Sequence, residues 1–263
     1  MYPTIARKNT DNGYTLSVIN GKRVLCVIPA RAGSVGIKDK NLKLIHGKSL
    51  VGWAATIANA IEFIDVVVVS TDSTVIAEEA KRNGGMFLGL RPFELSGPAV
   101  HDQQVLLDSL GKSQIAENCE FEIVVMLQPT SPLRSKEEIE KCINEVAFQN
   151  KTACWTVSKI DPKFHFRKQL SINENSLLRM SIEGPRVVAR QELSQTYFRN
   201  GACYVFSRET IQNDPHLMGN SCGYVISEGR RPNIDVIEDL VIASEISCIN
   251  QETGLLEEEI VKS

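Results

Sequence analysis

Five apolar residues in a row, Val24-Leu25-Cys26-Val27-Ile28, break at Pro29 into a loop of small residues and cations. A short continuous apolar run of this kind, mostly β-branched, suits a strand covered on both faces, as in a parallel sheet. Arg31, Gly33, Ser34, Gly36, Lys38, Lys40 and Asn41 follow. Small residues let backbone N–H groups approach a ligand and the cations neutralise one, so the loop has the character of a phosphate cradle.

The pattern then repeats along the chain. Leu44 to Ile61 contains alanines and spaced apolar positions that suit a buried helix, with Ser49 as its N-cap. A second strand is expected over Asp65–Ser70 and a helix over Thr74–Arg82, closed by Asn83-Gly84-Gly85. Met86–Leu88 reads as a short third strand, and the turn-rich stretch Arg91–Pro98 leads into a helix from about His101 to Leu110. Glu122–Leu127 is the fourth strand. It runs into Gln128-Pro129-Thr130-Ser131-Pro132-Leu133-Arg134, a stiff polar loop, after which Ser135 caps a helix to about Phe148. Thr152–Val157 is a fifth strand, whereas Asp161 to Gln195 loses the rhythm and reads as an inserted arm. A strand over Gly201–Phe206 restores it, and Asn233-Ile234-Asp235 opens a last helix to about Ile249.

This alternation predicts an α/β fold with a mostly parallel sheet, helices on both faces and ligands at the carboxyl ends of the strands. The expected organisation is an extension over 1–22, a main domain over 23–160 and 201–250, the arm over 161–200 and a tail over 251–263. A chain of 263 residues suits one such domain. With 29 Lys+Arg against 32 Asp+Glu there is no global basic field, which argues against nucleic acid as a partner. The seven cysteines are scattered and never form a CxxC pair, so neither a disulfide framework nor a zinc site is expected, and a reducing cytoplasm fits. No apolar run approaches the ~20 residues of a membrane span, and the first residues lack the apolar core of a signal peptide.

Ile-Pro-Ala-Arg-Ala-Gly-Ser at 28–34, Lys40-Asn41, Val-Ser-Thr-Asp at 69–72, Arg-Pro at 91–92 and Gln-Pro-Thr-Ser-Pro-Leu-Arg at 128–134 form an ordered set. In that set the chain resembles the CMP-sialic acid synthetase (acylneuraminate cytidylyltransferase) family, over roughly Arg23 to Ile249. The resemblance implies a Rossmann-like nucleotidyltransferase that moves CMP from CTP to a nine-carbon 2-keto sugar acid and releases pyrophosphate. It also implies a magnesium ion and a homodimer formed through the 161–200 arm.

By that resemblance Arg31 meets the triphosphate, Gly33 and Ser34 offer loop donors, and Lys40 with Asn41 sits over the α-phosphate and nucleotide. Ala30 and Arg91 fall at the cytidine end. Gln128, held by its rigid loop, faces the sugar, together with Arg190, Tyr197, Arg199 and Asn200 from the string RQELSQTYFRN. His165 and Arg167 correspond to arm residues that reach a partner's site. Arg134 is set aside as structural. Asn233-Ile234-Asp235 stands where the family has Asp-x-Asp, so Asp235 and Asn233 are the expected metal ligands, with one charge fewer. The family's Gly-Ser-Lys-Gly is here Gly33-Ser34-Val35-Gly36, one phosphate-facing cation short, and Lys38 is the candidate replacement. Two alternatives stay open: transfer to a different acidic keto-sugar, such as an eight-carbon one, or a catalytically weak nucleotide-binding relative.

Overall fold

A computed structural model describes residues 6–9, 15–33, 36–182, 189–229 and 231–252. The chain begins with an antiparallel hairpin of β1 (Ala6–Asn9) and β2 (Thr15–Val18). Immediately after it Ile19 is buried in the core, and the side chains of Asn20 and Lys22 donate to the carbonyls of Val146 and Ala147. Residues 19, 20 and 22 therefore pack on or bond to the main domain.

Strand β3 (Val24–Pro29) is buried on both faces. Cys26 and Ile28 pack among Val51, Ala55, Ile139 and Ile143, while Leu25 and Val27 face Leu106, Leu110 and Phe121. That double burial is why the sequence shows a continuous apolar run rather than alternation. After the loop, a small hairpin of β4 (Leu44–Ile45) and β5 (Lys48–Ser49) turns the chain into α1 (Leu50–Asn59), whose Gly52 N–H is capped by the Ser49 hydroxyl. Next come β6 (Val66–Ser70) and α2 (Thr74–Arg82), the latter capped by Ser73. Met86 makes only an isolated parallel bridge to Val68, so the short third strand expected over Met86–Leu88 does not form.

Helix α3 (Asp102–Glu117) runs well past Leu110. Beyond that point the apolar spacing fades, yet the helix runs on to a left-handed Asn118, with the buried Ser109 and Ser113 hydroxyls satisfied on carbonyls one turn earlier and Lys112 paired with Asp108. Strand β7 (Ile123–Met126) leads through the proline loop into α4 (Lys136–Phe148), capped by Ser135, and then β8 (Ala153–Lys159). The arm carries a hairpin of β9 (Leu170–Ile172) and β10 (Leu178–Met180), and the chain returns as the long β11 (Tyr197–Ser207). After α5 (Arg208–Asn213) come β12 (Cys222–Ile226), a strand the sequence reading missed, and α6 (Ile237–Glu252).

The main sheet has the order β12-β8-β11-β7-β3-β6. The pairs β3–β6, β3–β7 and β8–β12 are parallel, whereas β11 runs antiparallel to both neighbours. The inversion has a simple cause. Parallel neighbours need a crossover, usually a helix, and the arm between β8 and β11 contains only 3-10 turns and short strands among its described residues, so the chain returns as a long antiparallel hairpin. It is consequently the amino half of β11, where the register slips between Arg199 and Tyr204, that reaches the same edge as the carboxyl ends of β3 and β7. No helix among the described residues is long and apolar enough to cross a membrane. Cys26, Cys119, Cys142, Cys154, Cys203 and Cys222 are all free thiols.

Candidate active site

A cleft of about 560 Å³ opens at that edge of the sheet. Its wall includes Arg31, Lys40 and Asn41 from the loop after β3, Arg91, Gln128 and the Asn233/Asp235 pair, segments widely separated in the chain.

The loop after β3 is laced from within. The Asn41 amide donates to the Arg31 carbonyl (2.9 Å), Arg31 Nη1 donates to the Gly33 carbonyl (2.6 Å), and Asp72 accepts from the Ala32 N–H (2.7 Å). The Ser-Thr-Asp string after β6 thus orients the first loop. Ala30 is buried and its N–H bonds the Ser70 carbonyl. Arg91 is also buried: its Nε and Nη2 donate to the Ser70 hydroxyl and carbonyl at 3.0 and 2.6 Å. Desolvation pushes its guanidinium below the usual value, and Asp72 and Asp108 pull it back.

Lys40 reaches across the cleft. Its ammonium donates to the Ile234 carbonyl and to Asp235 Oδ1, both at 2.9 Å. The Asn233–Asp235 segment is held further by the Ile234 N–H on the Thr130 carbonyl, and Gly36 lies so close that a Cβ there would sit 2.3 Å from the Asp235 carbonyl oxygen. Behind it Arg231 bridges the buried Glu138 carboxylate (2.5 Å) and the Leu133 carbonyl (3.0 Å). Burial raises the Glu138 carboxyl above its ordinary range, and Arg231 opposes that most strongly.

Gln128 is set by Arg134. The guanidinium, fully buried, donates to the Gln128 and Ser131 carbonyls, so the expected structural role holds. Desolvation brings it down to about 10, and its Nη1 has no hydrogen-bond partner. Gly201, at φ +77°, has the space of a missing Cβ occupied by Gln128 Oε1 and Asn233 Nδ2, each 3.1 Å from that position. A side chain there would push apart the loop after β7 and the Asn233 segment.

Several expected site residues stand elsewhere. Asn200 is buried, with its amide donating to Ser158 and Ser227 and its carbonyl accepting from Thr156 and the Ala202 N–H. Its capacity is spent inside the protein, which corrects the expected sugar contact. His165 is buried and stacked on Phe166, so it is not presented to a partner. Lys38 is exposed and is not among the residues lining the cleft. Ser34 and Val35 lie outside the described residues, as does the Arg190 side chain. Tyr197 and Arg199 are exposed and are not among the residues lining the cleft; the Arg199 guanidinium stands 5.1 Å from the centre of the Trp155 ring and is the strongest of the charges acting on Asp102, a cleft residue.

Among the described residues no cluster of three or more His, Cys, Asp or Glu could hold a metal by itself. One carboxylate and one amide at 233–235 instead fit a hard cation that takes most of its oxygens from a nucleotide's phosphates and from water.

The family model described as cytidylyltransferase matches residues 25–241. This chain belongs to the cytidylyltransferase family. Among curated relatives, the CMP-N,N'-diacetyllegionaminic acid synthase of Legionella pneumophila is 27% identical over 88% of this chain and 98% of its own. The pseudaminic acid cytidylyltransferase of Campylobacter jejuni is likewise 27% identical over 88% and 98%. A solved structure of CMP:2-keto-3-deoxy-manno-octonic acid synthetase complexed with CTP superimposes with a TM-score of 0.64, at 18% identity, over 87% of this chain and 99% of that one. That last likeness is one of fold. Within this cytidylyltransferase, the residue that sequence reasoning missed is Asp102, which opens into the cleft at the start of α3. Its position shortly after the turn-rich Arg91–Pro98 stretch was the available signal, but an aspartate in a first helical turn is ordinarily read as complementing the helix dipole.

Proposed function

We propose that this cytidylyltransferase transfers CMP from CTP to the anomeric hydroxyl of a sialic-acid-like nonulosonic acid, giving the CMP-sugar and pyrophosphate. The observation that carries the proposal is the convergence of Arg31 and Lys40, Gln128 and Asp235, from three distant segments, in one cleft. The names of the Legionella and Campylobacter relatives support a nonulosonic acid as the acceptor.

In this reading the attack on the α-phosphorus spreads charge over phosphoryl oxygens and leaving group, and fixed cations lower the barrier. Lys40 turns from Asp235 to the α-phosphate, and Arg31, backed by the Gly33 and Ser34 loop donors, takes the triphosphate. Ala30, Asn41 and Arg91 shape the nucleotide end. Gln128 reads sugar hydroxyls, and the guanidiniums of Arg199 and Arg190, with Tyr197, serve the sugar carboxylate. Mg²⁺, held by Asp235 and Asn233 together with the phosphates, supplies charge neutralisation and orientation. The protein acts in the cytoplasm as a homodimer, because the arm hairpin leaves Leu170, Ile172, Leu178 and Met180 each more than half exposed, a patch that a second copy covers.

The test is pyrophosphate release from CTP and Mg²⁺ with a panel of keto-sugar acids. Release with a nonulosonic acid is the expected result; release only with an eight-carbon acid moves the acceptor. CTP binding without turnover on any acid would instead fit a weak relative, a reading favoured by the Asp235 carboxylate standing alone and paired with Lys40.

A further inference from the structure

The cleft is built for an anion, with Arg31, Lys40 and Arg91 in its wall, yet it also contains the carboxylate of Asp102. Its other carboxylate, Asp235, is engaged by Lys40. Among the described residues Asp102 makes no hydrogen bond or ion pair of that kind; it feels Arg199 most strongly, then Arg91 and His101, at longer range. Arg91 comes after α2 and Arg199 lies on β11, so the cations acting on Asp102 come from separate parts of the chain. The protein mass around it holds the carboxyl above its ordinary range even though the side chain opens to the cleft.

A free carboxylate in an anion-binding cleft repels phosphates and a sugar carboxylate alike. Where the bound ligand presents a hydrogen-bond donor to it the carboxylate favours binding, and it then discriminates against a ligand with an acceptor at that place. Resting on the cytidylyltransferase reading above, we infer that Asp102 is a substrate-contacting, specificity-determining acceptor for an N–H or O–H donor on the bound substrate. The substrates carry such donors at two places. Cytosine has an exocyclic amino group where uracil has a carbonyl oxygen; a nonulosonic acid has hydroxyl and acylamino groups.

The experiment compares wild type with Asp102→Ala and Asp102→Asn, after melting curves confirm that both fold. Calorimetry measures CTP, UTP and sugar-acid binding to the free protein, and steady-state assays measure KM for CTP and for the sugar acid. The expected result is a loss of about tenfold to a hundredfold for one substrate in Asp102→Ala, the range for a charge-assisted hydrogen bond, with the other substrate within about twofold. Asp102→Asn, which keeps a neutral acceptor, should lose less. If the donor is the base amino group, CTP weakens and the preference for CTP over UTP collapses; if it belongs to the sugar, only the sugar acid weakens. Unchanged affinities and an unchanged CTP-to-UTP ratio overturn the inference, whatever happens to kcat or the melting temperature, and so does an equal loss on every ligand. A wild type that turns over no keto-sugar acid refutes the proposed function, while the binding arms still decide the role of Asp102.

Discussion

Lys40 joins the two halves of the cleft, since one ammonium holds both the Ile234 carbonyl and the Asp235 carboxylate. Lys40→Ala should therefore lower kcat by about 10²–10³, the usual range for a lost transition-state donor, in a pyrophosphate-release assay, while circular dichroism stays native. Asn233 tests the missing charge. Asn233→Asp adds a second carboxylate at the segment that faces the phosphates and should lower the Mg²⁺ concentration for half-maximal activity several-fold; an unchanged Mg²⁺ curve would remove the metal assignment from 233. At this scale the residue types of the cleft were legible in the sequence, because cations, small residues and a lone aspartate announce phosphate chemistry. The use to which each side chain is put was not. Asn200 sits in the family string, but four internal hydrogen bonds absorb its amide.

Among the elements, the segment between β12 and α6 depends on close backbone approach and one buried ion pair. A methyl at Gly36 would meet the Asp235 carbonyl oxygen at 2.3 Å, a backbone atom with little room to yield. Gly36→Ala should accordingly displace Asp235, reducing kcat tenfold or more in the same assay with a small change in melting temperature. Arg231 and Glu138 have side-chain exposures of only 19% and 9%. Arg231→Met leaves the buried carboxylate uncompensated and should cost about 3 kcal/mol in urea unfolding, by the range known for broken buried pairs, and adding Glu138→Gln should recover much of it. Helix starts were readable because Ser49 and Ser135 serve as the expected caps, and Ser73, just before the expected start at Thr74, caps the helix between them. Helix α3 was underestimated because its second half buries serines, their hydroxyls satisfied within the helix, in place of an apolar stripe.

In the molecule as a whole, burial of thiols makes stability sensitive to alkali. Cys26 and Cys142 are held well above the ordinary thiol range, and Cys222 is pushed up to about 11, chiefly by desolvation at Cys26 and Cys222 and by hydrogen bonds to Cys154 and Cys203 at Cys142. Unfolded thiols titrate near ~8.5. Above that pH the unfolded chain releases protons that the folded one retains, so stability falls as pH rises toward 11. Melting temperatures measured from pH 7.5 to 10 should decline, and Cys222→Ala should flatten the decline. By itself the sequence determined the α/β class, the strands β3, β6 and β7, the polar loops after β3 and β7 and the family, because each is written in local periodicity, caps and contiguous strings. Only the tertiary structure decided the antiparallel course of β11, the presence of β12, the pairing of Lys40 with Asp235 and the entry of Asp102 into the cleft. Strand direction and long-range side-chain partners depend on how distant segments pack around one core, and no local pattern along the chain encodes that.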